Sequence, residues 1–293
     1  MISRSMRQRI GDLLREEGRV RPGARLPRPR DIAPRVHPTS VEEILPGGIV
    51  AGRHGPLFVH ERLYTDLSER PGPLLKQYQV IARSSAGAGR RRARTLPEAV
   101  SELDPPERGL FQRFGHRRML FLDIETCGLQ SAPVFLVGLC HIGDRNLVLR
   151  QLFARDYGEE RSLVAEVERI ARGFDFLVTF NGKTFDIPFL RNRAIHLRIP
   201  FRMELPHLDL LWMARRRWRG MVPNCRLKTL EWHVLRRRRA GDVDGAEIPG
   251  IYHEYVKHGQ PHRLLPIFHH NLLDLVAMAE LLPKAFDPET TIY

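Results

Sequence analysis

The sequence predicts an α/β fold in which a mixed β-sheet is flanked by helices. Three short apolar runs, at residues 119–123, 134–142 and 147–153, follow one another without a helical pattern between them. From residue 159 onward, helix-like and strand-like patterns alternate. Three strands followed by such alternation are typical of a mixed sheet covered by helices, in which the second and third runs pair antiparallel with the first.

Each predicted element follows from its residue pattern. The first apolar run ends in a carboxylate, and the next two are long enough for full strands. Residues 159–172 repeat apolar side chains at helical spacing, through Leu163, Val167 and Ile170. The run at 176–180 is short enough for a buried strand. The remaining helical patterns cover residues 187–196, 209–218, 227–235 and 261–282.

The first 110 residues differ in composition from the rest, since they hold 12 of the 22 prolines. We expect a smaller proline- and arginine-rich region there, with residues 20–40 extended. Residues 48–63 alternate and contain Gly-Pro, which predicts a short β segment folded as a hairpin. Residues 84–94 resemble a flexible basic linker. We therefore place a domain boundary near residue 110, with the main domain at 111–293.

The charge of the chain favours a polyanionic partner. Its 293 residues include 47 Lys and Arg but only 34 Asp and Glu, which gives a net charge of +13 and a pI near 10.4. Nucleic acid is the first candidate. No apolar run is long enough for a membrane span, so we expect no membrane partner. The three cysteines form no CxxC pair, which excludes a disulfide framework and a thiolate zinc site and is typical of a cytoplasmic protein.

Two carboxylates stand together at the end of the first predicted strand. Asp123 and Glu125 are two residues apart, so in a strand both point to the same face. Two acids in a half-buried place repel, and each raises the pKa of the other. A hard divalent cation that binds both removes this conflict. The alternative is a solvated strand end with two ordinary acids.

A third acid follows the strand at 176–180. Asn181-Gly182 is a strong turn signal, and Asp186 with Pro188 then reads as the start of a helix. Asp186 is either a further metal ligand or only a helix cap.

A His-Asp pair lies in the last predicted helix. His270 and Asp274 are four residues apart and hence neighbours on one helical face, whereas His269 lies about 140° around the helix from Asp274. An Asp in an apolar helix is costly unless it is paired or bound to a metal. A buried Asp–His hydrogen bond is therefore the alternative to a metal site.

The three motifs in this order resemble those of the DEDD superfamily of ribonuclease H-like 3′–5′ exonucleases, and more closely those of the bacterial YprB-like ribonuclease H-like domain proteins. The stretches LDIETCGL, TFNGKTFDIPFL and HHNLLDL carry the resemblance, which extends from about residue 119 to 282. The matching positions are Asp123 and Glu125 for the first motif, Asn181 and Asp186 for the second, and His270 and Asp274 for the third.

This resemblance implies a ribonuclease H-like sheet and a metal-dependent nuclease, a 3′–5′ exonuclease acting on a single-stranded 3′ end of DNA or RNA. Members use two divalent cations, and oxygen ligands favour Mg²⁺ or Mn²⁺ over zinc. By analogy, Thr126 and Leu129 would contact the terminal nucleotide. Asn181 would hold the substrate backbone or support Asp186, unless it only forms the turn. The implied metal ligands are Asp123, Glu125, Asp186 and Asp274.

A general base is also expected near the attacking water. Some members carry a histidine five residues before the last Asp, where His269 stands, and others a tyrosine four residues before it, where His270 stands. The His-Asn pattern favours His270, and His269 is the alternative if the helix begins late. The competing function is a catalytically silent nucleic-acid-binding module on the same fold.

Three basic runs, at residues 90–94, 215–219 and 236–239, are predicted to border a nucleic-acid path rather than to be ordinary solvated faces. The three tryptophans, at 212, 218 and 232, are expected in the core rather than stacked on bases. Asp209 is expected to cap a helix rather than to bind a metal. Glu231 follows the pattern of the relatives without an assigned role.

Overall fold

The computed structural model of the chain describes residues 40–67, 72–87, 105–129 and 131–293. The predicted extended segment lies outside the described residues up to residue 39, and so do residues 88–94 of the predicted linker with their arginines.

A seven-stranded mixed sheet forms the centre of the described structure. The strands are β1 (Gly48–Gly52), β2 (Gly55–Leu63), β3 (Met119–Thr126), β4 (Val134–Ile142), β5 (Leu147–Phe153), β6 (Phe176–Thr179) and β7 (His207–Asp209). Their order is β1-β2-β5-β4-β3-β6-β7. β6 runs parallel to both β3 and β7, and all other neighbours are antiparallel. The predicted mixed sheet is confirmed, as is the antiparallel pairing of β4 with β3. The predicted pairing of the third run with the first is wrong, because β5 lies between β4 and β2.

The predicted hairpin is also present, and it extends the main sheet. β1 and β2 pair antiparallel around a tight turn in which Gly52 faces Gly55. β2 then pairs along β5, with Phe58 opposite Phe153. The domain boundary near residue 110 stays a prediction.

The described residues form nine α-helices around the sheet. They are α1 (Val41–Ile44), α2 (Gly72–Gly87), α3 (Pro105–Phe114), α4 (Glu160–Ala171), α5 (Asp186–His196), α6 (Leu210–Trp218), α7 (Leu227–His233), α8 (Ile248–His258) and α9 (Leu265–Phe286). The helices predicted from periodicity correspond to α4, α5, α6, α7 and α9. A 3-10 turn at Pro261–Leu264 precedes α9, which shortens the predicted helix at its start.

Helix α2 corrects one prediction. The linker predicted from residue 84 is wrong for residues 84–87, because α2 continues to Gly87. Leu74 and Tyr78 of α2 are buried, and the Tyr78 hydroxyl donates to the carbonyl of Ala279 on α9 at 2.6 Å. These tertiary contacts stabilise a helix that the Ser- and Gly-rich composition does not favour.

The two faces of the sheet carry separate apolar clusters, and the alternation along β3 shows this directly. Leu120 and Leu122 belong to one cluster, whereas Met119 and Phe121 belong to the other. Because side chains alternate along a strand, Asp123 shares the face of Met119 and Phe121. That face also buries much of α9, so the end of β3 presents its acid to the long last helix.

A buried ion pair joins three segments on the other side of the molecule. Arg193 of α5 donates through Nε and Nη2 to the two carboxylate oxygens of Glu160 on α4, each at 2.6 Å. Glu160 also accepts from the backbone N of Val134 at 2.9 Å, and Arg193 donates to the carbonyl of Ser131. The pair therefore fixes the loop between β3 and β4 against two helices.

No helix among the described residues is long and apolar enough to cross a membrane. The three cysteines are free thiols, with Cys127 and Cys140 buried.

Candidate active site

The first two acids of the site lie on one face at the end of β3. Asp123 pairs in register with Gly138 of β4, and Glu125 with Leu136. Both residues are half-buried. The register shifts between Glu125 and Thr126, where the strand leaves the sheet. The sequence prediction that the two acids project together is confirmed by the strand.

Asp186 reaches the site from the first residue of α5. The turn after β6 places Asn181 at φ 69°, and the chain enters the helix at Asp186. The Asp186 carboxylate is buried and lies against the backbone of Ile124 on β3. Phe185 is the N-cap residue of α5, and its side chain makes no capping hydrogen bond. The Asp186 carboxylate accepts from its own backbone N–H at the first position of the helix. Asp186 thus contacts both the start of α5 and β3, and its role as a metal ligand stays a prediction.

Asp209 caps the next helix, as predicted, and also fixes the turn before Asp186. Its carboxylate accepts from the backbone N of Leu211 at 3.0 Å, of Asn181 at 2.9 Å and of Lys183 at 3.1 Å. These three donors satisfy a buried carboxylate with neutral partners.

The last helix approaches the sheet through Asn271, which sequence reasoning missed. Asn271 is fully buried, and its Nδ2 donates to Asp123 Oδ2 at 2.7 Å. Its Oδ1 accepts from Gln151 Nε2 at 2.9 Å. Gly138 lies between Asp123 and Gln151 in the sheet, and a Cβ there would overlap the Asn271 amide. Because residue 138 is glycine, α9 lies close enough to the sheet for Asn271 to donate its hydrogen bond to Asp123.

His270 and Asp274 lie on the same helix, one turn apart. His270 Nε2 is 3.6 Å from Asp274 Oδ2. Its Nδ1 lies 2.6 Å from Oδ1 of Asp242, in the segment between α7 and α8. Asp242 thus fixes the ring so that Nε2 faces the acids. His269 is also buried, but it faces the Ala240 backbone.

The pKa values reflect how closely the acids stand. The four site acids are Asp123, Glu125, Asp186 and Asp274. Burial, followed by the charges of the other three, raises the pKa of Asp123 well above its ordinary value. Burial raises the pKa of Glu125 to about 8, and the neighbouring acids add to the rise although His270 opposes it. Burial also raises the pKa of Asp186 to about 7, with a contribution from the charge of Asp209.

The two histidines shift in opposite directions. Burial lowers the pKa of His269. Burial also works against the imidazolium of His270, yet its hydrogen bond to Asp242 and the charges of Asp274 and Glu125 outweigh this and raise the pKa of His270. His270 is therefore the histidine that interacts with the site acids.

Arg239 gives Asp274 a different environment from the other site acids. Its guanidinium pairs with Asp274 and with Glu231, and lies 3.3 Å from Asp242. Glu231 is fully buried and is held by Arg237 as well, at 2.8 Å. Glu231, unassigned in the sequence, thus anchors the arginine that reaches into the site.

The side chains of the basic run at 236–239 do not all face solvent. Arg237 and Arg239 point inward to the buried Glu231, and Arg239 also pairs with Asp274 in the site. That this run borders a nucleic-acid path stays a prediction. Arg236 lies over the ring of Tyr293, and Arg238 over that of Trp232. In the run at 215–219, Arg216 pairs with Glu107 and Arg217 donates to the carbonyl of Pro288 at 2.7 Å. Composition alone does not separate such structural arginines from surface ones.

The tryptophan prediction is correct for only one of three residues. Trp218 is 1% exposed, whereas Trp212 and Trp232 are each 43% exposed. Both exposed rings have a cation over one face, Lys183 for Trp212 and Arg238 for Trp232. Each tryptophan lies near a basic run in the sequence. This proximity does not indicate which face of its helix the tryptophan occupies.

Two of the predicted substrate-contacting residues, Thr126 and Leu129, lie at the end of β3 and in the loop after it, and Asn181 lies in the turn after β6. The Thr126 hydroxyl donates to the carbonyl of Gly128 at 2.6 Å. Leu129 is 80% exposed in the following loop. The Asn181 side chain closes its own turn, since its Oδ1 accepts from the Thr184 hydroxyl at 2.6 Å. The turn-forming alternative accounts for this contact, and a substrate contact by any of the three stays a prediction.

The donor atoms of the site fit a hard divalent cation. In the part of the chain that the structure describes, no three Asp, Glu, His or Cys side chains stand ready as a closed metal-binding group. Asp123, Glu125 and Asp186 nevertheless offer carboxylate oxygens in a half-buried place, and none of them forms an ion pair with a described residue. A divalent cation would relieve the repulsion that raises their pKa values.

Sequence signals for the missed residues were present in part. Asn271 belongs to the His-Asn motif, but the sequence did not indicate its role. Gly138 interrupts an otherwise apolar strand, which is typical of a close backbone approach. Asp242 and Arg239 lie in an irregular segment whose path depends on tertiary contacts, so no local pattern indicates them.

Comparisons with known proteins bear on this region. The chain matches the model of the RNase_H superfamily over residues 120–285, which include all four site acids. Over 177 residues it is 31% identical to the uncharacterized protein YprB of Bacillus subtilis (strain 168), a match that covers 57% of this chain and 42% of YprB. The chain therefore spans less than half the length of this relative.

A solved structure also matches. It is that of the family B DNA polymerase from the hyperthermophilic archaeon Pyrobaculum calidifontis, at 17% identity and a TM-score of 0.45, covering 57% of this chain and 24% of the polymerase chain. The TM-score is too low for this likeness to support an argument about function.

Proposed function

The chain belongs to the RNase_H superfamily, and from this premise we propose that it is a divalent-metal-dependent nuclease that hydrolyses phosphodiester bonds of DNA or RNA. The finer proposal is a 3′–5′ exonuclease acting on a single-stranded 3′ end. The resemblance of the motifs supports the 3′–5′ direction of cleavage. The geometry of the site supports metal-dependent hydrolysis.

One observation carries the proposal. Asp123, Glu125 and Asp186 meet at the carboxyl end of β3, where burial and mutual repulsion raise the pKa of each. A protein gains nothing in stability from three such acids without cationic partners. Their presence together is accounted for by a cation that binds them during function.

We assign the metal-holding role to the four site acids and name Mg²⁺ or Mn²⁺, in two sites, as the ions that suit carboxylate oxygens. When bound, such ions lower the pKa of an attacking water and neutralise charge on the leaving oxygen. Asn271 holds Asp123 in place through its Nδ2, and Glu125 lies on the same face of β3 as Asp123.

His270 is proposed as the group that accepts the proton of the attacking water. Asp242 holds Nδ1, which leaves Nε2 directed toward the acids. This is the geometry of a histidine kept in one orientation by a carboxylate. His269, which faces the Ala240 backbone, is the weaker candidate.

The substrate is proposed to reach the site past the loop after β3. Leu129 at the surface of that loop and Thr126 at its base are the proposed contacts for the terminal nucleotide. The net charge of +13 favours association with the phosphate backbone and predicts that binding weakens as salt increases.

A cleavage assay tests the proposed function. We expect the purified chain with Mn²⁺ or Mg²⁺ to convert a 5′-labelled single strand into a ladder of shorter labelled products. Asp123→Ala is expected to abolish the ladder, and the surface variant Asp144→Ala serves as the matched control because Asp144 is 93% exposed. Absence of cleavage of every DNA and RNA form would contradict the proposal.

A second candidate is a nucleic-acid-binding module without turnover. Arg239 favours it, because its guanidinium already neutralises Asp274 without a metal. Such a protein would bind nucleic acid in a salt-sensitive way and show no metal-dependent cleavage. The same assay, combined with a binding measurement, separates the two.

A further inference from the structure

Trp212 stands out among the aromatic residues near the site because its indole is exposed and has a cation on one face. The Lys183 ammonium lies 4.8 Å from the centre of the Trp212 ring. Lys183 belongs to the turn that precedes Asp186, and Trp212 lies in the first turn of α6. The pair therefore joins two segments that are separate in the sequence.

Asp209 holds both segments in a fixed relation. One oxygen of this buried carboxylate accepts from the backbone N of Leu211, in the first turn of α6, at 3.0 Å. The other oxygen accepts from the backbone N of Lys183 at 3.1 Å. Lys183 and Trp212 are thus positioned by one shared anchor. Ligand binding therefore need not lose conformational entropy to order either segment.

The pair lies at the same edge of the sheet as the site acids. β3, β6 and β7 run parallel, and Thr179 pairs in register with Asp209 at the carboxyl ends of their strands. Asp209 also accepts from the backbone N of Asn181 at 2.9 Å, in the turn that leads into Asp186 at the start of α5. In open α/β sheets, ligands bind outside the carboxyl ends of the parallel strands.

We propose that Lys183 and Trp212 form a platform for single-stranded nucleic acid beside the site, the Lys183–Trp212 platform. The Trp212 ring would stack on an unpaired base, while the Lys183 ammonium would contact a phosphate. This inference deepens the proposed function and rests on it, because it names the residues that would bind the unpaired strand beside the site. Base faces are available for stacking in single strands and are covered in a duplex.

Trp232 provides a matched comparison within the same chain. It has the same exposure as Trp212 and also has a cation over its ring, that of Arg238. Trp232 lies on α7, which is joined to neither β6 nor β7 by the Asp209 anchor. The platform assignment therefore predicts different behaviour from two similar tryptophans.

The test is a binding measurement on the full chain in EDTA, where no metal-dependent cleavage takes place. The probes are fluorescein-labelled single strands of thymidine or uridine nucleotides, about 12 nucleotides long, and a duplex of equal length. Trp212→Ala is expected to weaken single-strand binding by roughly 5- to 100-fold, and Trp212→Phe to retain most of it. Trp232→Ala and the duplex titrations are expected to change by less than about twofold.

Lys183→Met tests the phosphate contact separately. Loss of one contact to a single strand is expected to lower the slope of log affinity against log salt by about 0.7. An unchanged thermal unfolding temperature shows that the variants fold. A loss on only one of the two sugars identifies the strand that the platform accepts and supports the assignment.

Three outcomes would overturn the platform: single-strand binding unchanged in Trp212→Ala, an equal loss in Trp232→Ala, or an equal loss on the duplex. Because binding is read without a metal, absence of cleavage in the earlier assay contradicts the nuclease proposal and leaves this result standing. Cleavage with unchanged binding in Trp212→Ala contradicts the platform alone.

Discussion

The buried acids of this protein fall into two groups that differ in their partners. Glu160 is held by Arg193 and by a backbone N–H, and Asp209 by three backbone N–H groups. Asp123, Glu125 and Asp186 stand against one another instead. The Asn271 amide, nearby backbone groups and His270 offset the rise in their pKa values only in part.

This difference separates acids that stabilise the fold from acids that oppose it. A buried carboxylate costs free energy unless hydrogen bonds or a countercharge compensate it. The first group has that compensation within the chain, whereas no acid of the second group forms an ion pair with a described residue. Asp274 lies between the two, since Arg239 neutralises one of its oxygens.

The largest expected effect comes from Asp123→Asn. The amide oxygen still accepts from Asn271, so the fold is kept, but a charged ligand is lost. Removing metal-dependent charge stabilisation is expected to lower the cleavage rate by about 10⁴-fold, equal to roughly 5 kcal/mol. The same change relieves repulsion, so the free energy of unfolding without metal is expected to stay equal or rise.

Single-turnover cleavage and denaturant unfolding measure the two quantities. A variant that keeps its activity, or one that loses both activity and stability, would place Asp123 with the structural acids.

Glu160→Gln is the same chemical change in the other group, and the opposite result is expected. Breaking the buried pair leaves Arg193 as an uncompensated charge, which is expected to cost about 3–5 kcal/mol of unfolding free energy. Activity per folded molecule should persist. The matched control is Asp144→Asn in an exposed pair with Arg117, where a loss below about 1 kcal/mol is expected in urea unfolding. Equal losses in both variants would remove the distinction.

The two neighbouring histidines test the catalytic side of the comparison. His270→Ala is expected to lower the cleavage rate by about 10²- to 10³-fold, because a positioned general base contributes about that much. His269→Ala is expected to affect stability more than rate, since His269 is buried away from the acids. Small and equal losses of turnover in both variants would end the assignment of either as the base.

The smallest effect concerns pH. The pKa values of about 8 for Glu125 and about 7 for Asp186 mean that protons compete with a metal at neutral pH. Affinity for Mn²⁺ is expected to rise at least about tenfold between pH 6 and pH 8, with proton release on binding. Calorimetric titration in buffers of different ionisation enthalpy measures both.

The free energy of unfolding without metal is expected to change with pH in the opposite direction to the metal affinity. The folded protein binds more protons than the unfolded chain until the pH passes these raised pKa values, so unfolding free energy should fall as pH rises toward 8. An affinity for Mn²⁺ that does not depend on pH, or an unfolding free energy that does not fall toward pH 8, would contradict the pKa shifts.

Much of this site was predictable from periodicity. Strand alternation placed Asp123 and Glu125 on one face, and helical spacing paired His270 with Asp274. Both inferences need only local geometry, which a short motif specifies. The mixed sheet followed for the same reason, from the order of strand and helix patterns.

The partners of these residues were not predictable in the same way. Asp242 and Arg239 come from the segment between α7 and α8, where Arg236 takes a left-handed conformation at φ 53° and turns the chain. Four consecutive arginines look alike in sequence, yet two enter the core and two cover aromatic rings. Only tertiary contacts decide which arginine enters the core and which covers a ring. The exposure of Trp212 is likewise decided by tertiary contacts.

The central claim is that Asp123, Glu125 and Asp186, which form no ion pair with a described residue, hold divalent cations together with Asp274. The most direct measurement is an anomalous difference map from crystals of the chain soaked in Mn²⁺. The account predicts peaks among Asp123, Glu125, Asp186 and Asp274. A map of a fully soaked crystal with no peak in contact with these four side chains would contradict it.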